Sequence, residues 1–469
     1  MTSFRFYVGT HASSGMPSIH KCEVDFDKMT FTPLYSMQGI SDPTYLAGPK
    51  DSILYALGRS DGGGTVNALK EDSHGLAIMN TLLSRGQGPC HICVDPDREF
   101  LLCANYGSGS ISLFDLSSDG SLQSLCDFRQ YSGEGFDSED RQKGPHAHYA
   151  AFHPIGIKAS AMPAAGKAIE QSAEHKTLRQ QAEFEASAIP ATGSQPSWDE
   201  VLVCDLGLDT VYVYELDRQS RRLANTTRNI HLPAGSGPRH LAFHDAHPGM
   251  LYVLTEMANT IFVYEYKEEY SDNGGNECCD ARRDAGTNEC GKSEILPDSQ
   301  SKQMGGQYIC VQVISAVPSG SESNEICDSD PALMQPSTAD NGSIGCAIRF
   351  TADGEFLFVS SRLGYQSISA FHCGTDGRLR FCSRSLCGGI TPRDFNVFEE
   401  ADSLKTVKQD PAALSETPDS RICHLLVANQ DSDLITALQF DRASEELSLL
   451  DMKMQAFKPT CILPDIRHE

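Results

Sequence analysis

The stretch GCAIRFTADGEFLFVSSRLGYQSISAF, residues 345–371, sets the unit of this fold. A short apolar strand is followed by a polar Asp-Gly turn, a second apolar strand, a polar loop and a third strand. Asp-Gly and Asp-Pro pairs favour tight turns, and short apolar runs between them read as strands. The same order recurs in DPTYLAGPKDSILYALGRSDGGGTVNAL (42–69), GPCHICVDPDREFLLCANYGSGSISLF (88–114) and GPRHLAFHDAHPGMLYVLTEMANTIFVYEY (237–266). Two further copies are interrupted: GPHAHYAAFHP (144–154) resumes as EVLVCDLGLDTVYVYEL (200–216), and TPRDFNVF (391–398) resumes as CHLLVANQDSDLITALQF (423–440). A seventh is circular, with KPTCILP (458–464) supplying its first strand and RFYVGTHASSGMPSIHKCEV (5–24) the next two.

Repeated short strands, regular turns and little helical periodicity predict an all-β protein. A ring that closes by joining N-terminal strands to a C-terminal strand is a β-propeller, here of seven blades. Residues 1–469 are expected to form one propeller domain. Outer strands are expected at 121–131, 221–232, 307–317 and 447–457. Polar insertions are expected at 155–199, 267–306, 318–342 and 399–421, as loops or disordered segments, with a helix possible over 164–188.

Composition narrows the function. A formal net charge of -25 opposes binding to nucleic acid or to an anionic membrane surface. A small anionic substrate then requires a local basic pocket. The opening residues MTSFRFYVGT begin a strand at once, so no signal peptide is expected and a cytoplasmic location is. Seventeen cysteines, an odd number scattered along the chain, do not form a disulfide framework. Cys90-His-Ile-Cys93 is a lone C-x-x-C without a second ligand pair, read as reduced core cysteines rather than a metal or redox site. No G-x-S-x-G elbow, phosphate-binding loop or dinucleotide fingerprint is present.

The repeat also locates polar residues. In an antiparallel pair the start of strand one lies beside the end of strand two. Strand one begins at Thr44, Cys90, His148, Arg239, Cys346, Arg393 and Thr460. Strand two ends at Arg59, Asn105, Asp205, Glu256, Arg362, Asn429 and, in the closing blade, Thr10 with His11. All of these converge on one mouth of the central channel. Arginines that share a cavity repel unless an anion binds them. Glu256 reads either as a salt-bridge partner or as a general base. His148 reads either as a structural histidine or as a proton-transfer group. By alternation, His240 and Asp394 point away and pack between blades.

PHAHYAAFHP, SGPRHLAFH, LTEMANTIFVYEY, FTADGEFLFVSSRLGYQSISAF and VANQDSDLITALQFD together resemble the seven-bladed propeller lactonase family, which includes bacterial-type 6-phosphogluconolactonase and 3-carboxy-cis,cis-muconate lactonising enzyme. The resemblance covers nearly all the chain outside the insertions. It implies a cleft built around His148, Arg239, Arg362 and Glu256. It also implies a lactone hydrolase, with 6-phosphoglucono-1,5-lactone as the favoured small anionic substrate in the pentose phosphate pathway and no cofactor or metal. On this reading His148, Glu256 and Arg239 are catalytic, and Arg362, Arg393, His146, Asn105 and Asn429 bind substrate. The insertions after the PHAH strand and in the next blade are candidates to cover the cleft. The alternatives are a muconate-type cycloisomerase and a non-catalytic interaction scaffold. The scaffold is disfavoured if His148, Arg239, Glu256 and Arg362 converge.

Overall fold

Strand two of the repeat is largely apolar and buried through its middle on both faces. FLLCAN at Phe100–Asn105 and EVLVCD at Glu200–Asp205 are buried at every position. A strand can be so only if both faces of its sheet are covered, and a blade wedged between two others meets that condition. The computed structural model describes residues 3–136, 141–153, 200–268, 306–318, 325–326, 342–399 and 421–465. Among these, the strands form seven antiparallel sheets, one per repeat. Their inner strands touch in cyclic order: Pro459–Pro464, Leu46–Lys50, Pro89–Val94, Ala147–His153, Pro238–His244, Ser343–Phe350, Pro392–Phe398, then Pro459–Pro464 again. The buried apolar side chains fall into seven clusters, one in each gap between neighbouring blades. Each large aliphatic or aromatic side chain buried there contributes roughly 1.5–3 kcal/mol.

Ring closure follows the circular repeat. Pro459–Pro464 pairs with Ser3–Thr10, setting Val8 against Ile462 and Tyr7 against Leu463. Outer strands form at Leu122–Gln130, Gly306–Ser315 and Glu446–Gln455. The expected strand at 221–232 is split into Arg222–Asn225 and Ile230–His231. Between the two pieces, Thr226 Oγ1 donates to the Val213 carbonyl at 2.7 Å and Asn229 Oδ1 accepts from the Val213 amide at 3.0 Å, replacing backbone partners. The expected insertions, and the helix over 164–188, lie almost wholly outside the described residues. Their flanks are informative. His153 pairs with Glu200, Glu268 with Gly306 and Phe398 with His424, each at the end of its sheet opposite the mouth. The first two of these segments, the candidates to cover the cleft, are therefore flanked by residues at the far end of their sheets from the cavity. The fourth expected insertion, 318–342, begins after the outer strand Gly306–Ser315, whose last residue pairs with Thr260 at the mouth end.

One irregularity positions the site. In six sheets the pairing of strands one and two slips by one residue at the mouth. The slips lie at Cys90, His148, Arg239, Cys346–Ala347, Arg393 and Thr460. These are β-bulges, which leave one residue unpaired and re-aim its side chain.

Candidate active site

The mouth holds a cavity of about 140 Å³. Thr44, Cys90, His148, Arg239, Arg393 and Thr460 line it, six of the seven strand-one starts, together with Arg59 and His11 from strand-two ends. His240 and Asp394 pack between blades as expected, His240 against Tyr149 and Asp394 against Arg349, but they also border the cavity, which alternation did not anticipate. The reason is the bulge: an extra residue breaks the two-residue alternation, so Arg239 and His240 both reach the channel, as do Arg393 and Asp394. His240 Nε2 lies 2.9 Å from Arg239 Nη1, and the His240 ring is 5.4 Å from that of His148. Asp394 accepts a hydrogen bond from Arg349 Nη2 at 2.9 Å and from the Ile462 amide at 3.1 Å.

Glu256 is fully buried beneath the cavity wall, and arginines engage both its carboxylate oxygens. Arg239 Nε donates to Oε2 at 2.8 Å, Arg362 Nη2 donates to Oε1 at 3.0 Å, and Arg141 Nη1 also donates to Oε1. Burial pushes the carboxyl's pKa up, but Arg239, Arg362, Arg141 and Arg393 outweigh it and the net shift is downward. Glu256 is therefore an ionised anchor that fixes Arg239 and Arg362. Arg239 also donates through Nη1 to the Cys346 carbonyl.

Arg141 was not anticipated from sequence. It belongs to the connection leading to the PHAH strand, outside the repeat, and only the fold carries it to Glu256. Its Nε and Nη2 each lie 3.4 Å from the Tyr106 hydroxyl. His146 stacks on Tyr106 at 4.4 Å, with its Nδ1 2.8 Å from the Tyr106 carbonyl, beside the cavity rather than in its lining.

His148 is buried at the wall. Burial, reinforced by Arg239, Arg393, Arg141 and Arg362, holds its imidazole well below the ordinary histidine pKa, so the ring is neutral. Its Nδ1 has no hydrogen-bond partner among the described residues. Arg393 lines the cavity with no carboxylate or hydrogen-bond partner among the described residues, and burial, with Arg239 and Arg362, pushes its pKa down to about 10. A cation so placed is poised for an anion.

Five of the expected site residues are absent from the lining: Glu256 and Arg362 form the ion-pair cluster behind it, His146 lies beside it, and Asn105 and Asn429 turn away from it. Asn105 donates to Ser112 Oγ at 3.2 Å, and Asn429 donates to Thr436 Oγ1 at 2.9 Å. Both turn outward to the third strand of their own blade, with which strand two pairs regularly, while the extra residue of the neighbouring bulge lies on strand one. Cys90 does reach the lining, and its Sγ lies 3.2 Å from the His148 carbonyl. Burial pushes its thiol up to about 12, which leaves it protonated. Among the described residues no cluster of three metal-ligating side chains occurs.

Comparison with known proteins fits this geometry. The family model described as "Lactonase, 7-bladed beta-propeller" matches residues 5–162, 156–304 and 299–415. A 6-phosphogluconolactonase of Bacillus subtilis (strain 168) is 27% identical over 466 residues, covering 98% of each chain. The solved structure of Pseudomonas aeruginosa periplasmic gluconolactonase superposes with a TM-score of 0.65 at 20% identity, covering 98% of this chain and 99% of that one. A Lactobacillus plantarum protein superposes with a TM-score of 0.65 at 22% identity, covering 98% and 99%. With the bulged ring of basic residues and the family match both in place, the chain belongs to the seven-bladed β-propeller lactonase family.

Proposed function

We propose that this protein hydrolyses a small anionic lactone at the mouth cavity, with 6-phosphoglucono-1,5-lactone as substrate and 6-phosphogluconate as product, a step of the pentose phosphate pathway. Arg393 carries the reading: a guanidinium with no carboxylate partner among the described residues, beside the anchored Arg239, in a cavity of about 140 Å³. Arg393 holds the phosphate, or the oxyanion formed as water adds to the lactone carbonyl. Arg239 is held in one orientation by Glu256 and so is preorganised for the same charge. His148 presents a neutral imidazole to the bound lactone. A cyclic ester already hydrolyses in water, so orientation and charge stabilisation supply most of the acceleration required.

The test is the rate of lactone loss with purified protein, read as acid release and compared with buffer alone. The phosphorylated lactone is expected to disappear faster than buffer allows and faster than unphosphorylated glucono-1,5-lactone. A rate equal to buffer on both overturns the reading. The cycloisomerase alternative predicts loss of diene absorbance with a muconate-type diacid, which a pure hydrolase leaves unchanged.

A further inference from the structure

The cavity has a second face that the arginine cluster does not use. His11 follows the strand Ser3–Thr10 of the closing blade, and its amide donates to the Lys458 carbonyl at 3.1 Å. Its Nδ1 lies 3.3 Å from Asp42 Oδ1, and Asp42 Oδ2 lies 3.5 Å from Arg59 Nε. His11, Asp42 and Arg59 all line the cavity. Asp42 adopts a left-handed backbone, φ +51°, on the crossing to the next blade. Its amide donates to the Ala12 carbonyl at 2.8 Å, and its own carbonyl accepts from the Thr44 amide at 2.7 Å. Asp tolerates this conformation better than most residues, and two backbone bonds pin it with the carboxylate toward His11.

Resting on the lactonase reading, we propose that His11 is the general base of this site and Asp42 its positioning residue. Asp42 accepts a hydrogen bond from Nδ1–H, which holds the proton on Nδ1 and leaves the Nε2 lone pair of the neutral ring available to the cavity, as an imidazole base requires. The two groups expected to do this work are placed differently. Glu256 has both oxygens engaged by arginines, and His148 is surrounded by four of them with no carboxylate against its ring. In the proposed step a water oxygen bonds to the lactone carbonyl carbon while its proton passes to His11 Nε2. The carbonyl electron pair moves to an oxyanion facing Arg239 and Arg393. On collapse the bond to the ring oxygen breaks and that oxygen takes the proton from Nε2. Water and lactone are consumed, a hydroxy acid forms, and His11 returns to its starting state.

The charged groups facing His11 are Asp42, Arg59 and Arg393. Burial lowers its proton affinity, Asp42 raises it, and the two arginines lower it, with a net downward direction that keeps the ring neutral near pH 7. The experiment is a pH–rate profile of lactone hydrolysis, corrected for buffer, for wild type, His11→Gln and Asp42→Asn, with thermal unfolding run alongside. His11→Gln is expected to lower kcat about 10²–10⁴-fold with little change in KM, and to abolish the acid limb of the profile. Asp42→Asn is expected to keep an acid limb but move its midpoint to lower pH, because the carboxylate favouring the imidazolium is gone. A His11→Gln protein with wild-type kcat and acid limb overturns the proposal while leaving the lactonase reading intact. An Asp42→Asn midpoint that does not move overturns the positioning role. Wild-type protein no faster than buffer overturns both readings.

Discussion

Arg239 Nε and Glu256 Oε2 lie 2.8 Å apart across the two inner strands of one blade, with side chains only 2% and 0% exposed. A bulge on one strand aims the arginine, and the residue just past the end of the neighbouring strand His247–Thr255 supplies the carboxylate. Because Arg362 and Arg141 share the same carboxylate, one glutamate holds three cations at the edge of the cavity.

Removing that charge exposes the arrangement to its own repulsion. Glu256→Gln leaves three guanidiniums facing one another, and breaking a buried pair costs about 3–5 kcal/mol. Thermal unfolding is expected to show a lower Tm, and lactone hydrolysis is expected to be lost. The pH dependence has a definite sign. The folded carboxyl titrates below its ordinary value of 4.5, so the ion pairs stabilise the fold above that value and the contribution is lost as pH falls through the folded one. The acid-induced drop in wild-type stability should be shallower in Glu256→Gln.

Arg393 makes the opposite prediction for the unliganded fold. With no partner among the described residues and its pKa pushed down to about 10, it costs stability when charged. Arg393→Gln should hold or raise the Tm in phosphate-free buffer. Millimolar phosphate should raise the Tm of wild type but not of the variant. The KM for the phosphorylated lactone should rise about 10–100-fold, the range of a lost charge-assisted hydrogen bond, with a smaller effect on the unphosphorylated one. Equal phosphate stabilisation of both proteins would remove Arg393 from the anion site.

The connection carrying Arg141 depends on a close backbone approach. A Cβ on Gly207 would sit 1.8 Å from the Gly144 carbonyl oxygen. Gly207→Ala must therefore move that loop, at a cost of about 1–3 kcal/mol. Because Arg141 belongs to this loop, kcat/KM should fall with stability, whereas Gly62→Ala, which meets nothing closer than 3.5 Å, should leave hydrolysis nearly unchanged.

Cys90 borders the cavity but is not poised to react. Its thiol is pushed up to about 12, with burial the leading cause, so peptide mapping after iodoacetamide treatment at neutral pH should find it unmodified in the native protein and modified after unfolding. Rapid native alkylation at Cys90 would contradict the half-buried, hydrogen-bonded thiol.

The repeat in the sequence was enough to define the ring, its closure and most of the cavity wall. Strand order and register repeat locally, so aligning the blades brought Cys90, His148, Arg239 and Arg393 to one level, and the structure keeps them there. Alternation placed His240 and Asp394 between blades, where they do pack, but missed that they also border the cavity, because a bulge adds one residue and no residue type in GPRH or TPRD announces it. Asn105 and Asn429 failed for the converse reason: the bulge lies on strand one, and these strand-two ends turn to the third strand of their own blade.

What the sequence alone determined is a seven-bladed ring with basic residues converging at one mouth, since blade periodicity is written in turn residues and apolar runs. Tertiary structure decided which of those charges are paired. Arg141 reaches Glu256 from a connection 115 residues away, and His11 meets Asp42 from 31 residues away. Pairings of this kind depend on how blades stand against each other, and electrostatics at 3 Å has no counterpart in a linear pattern.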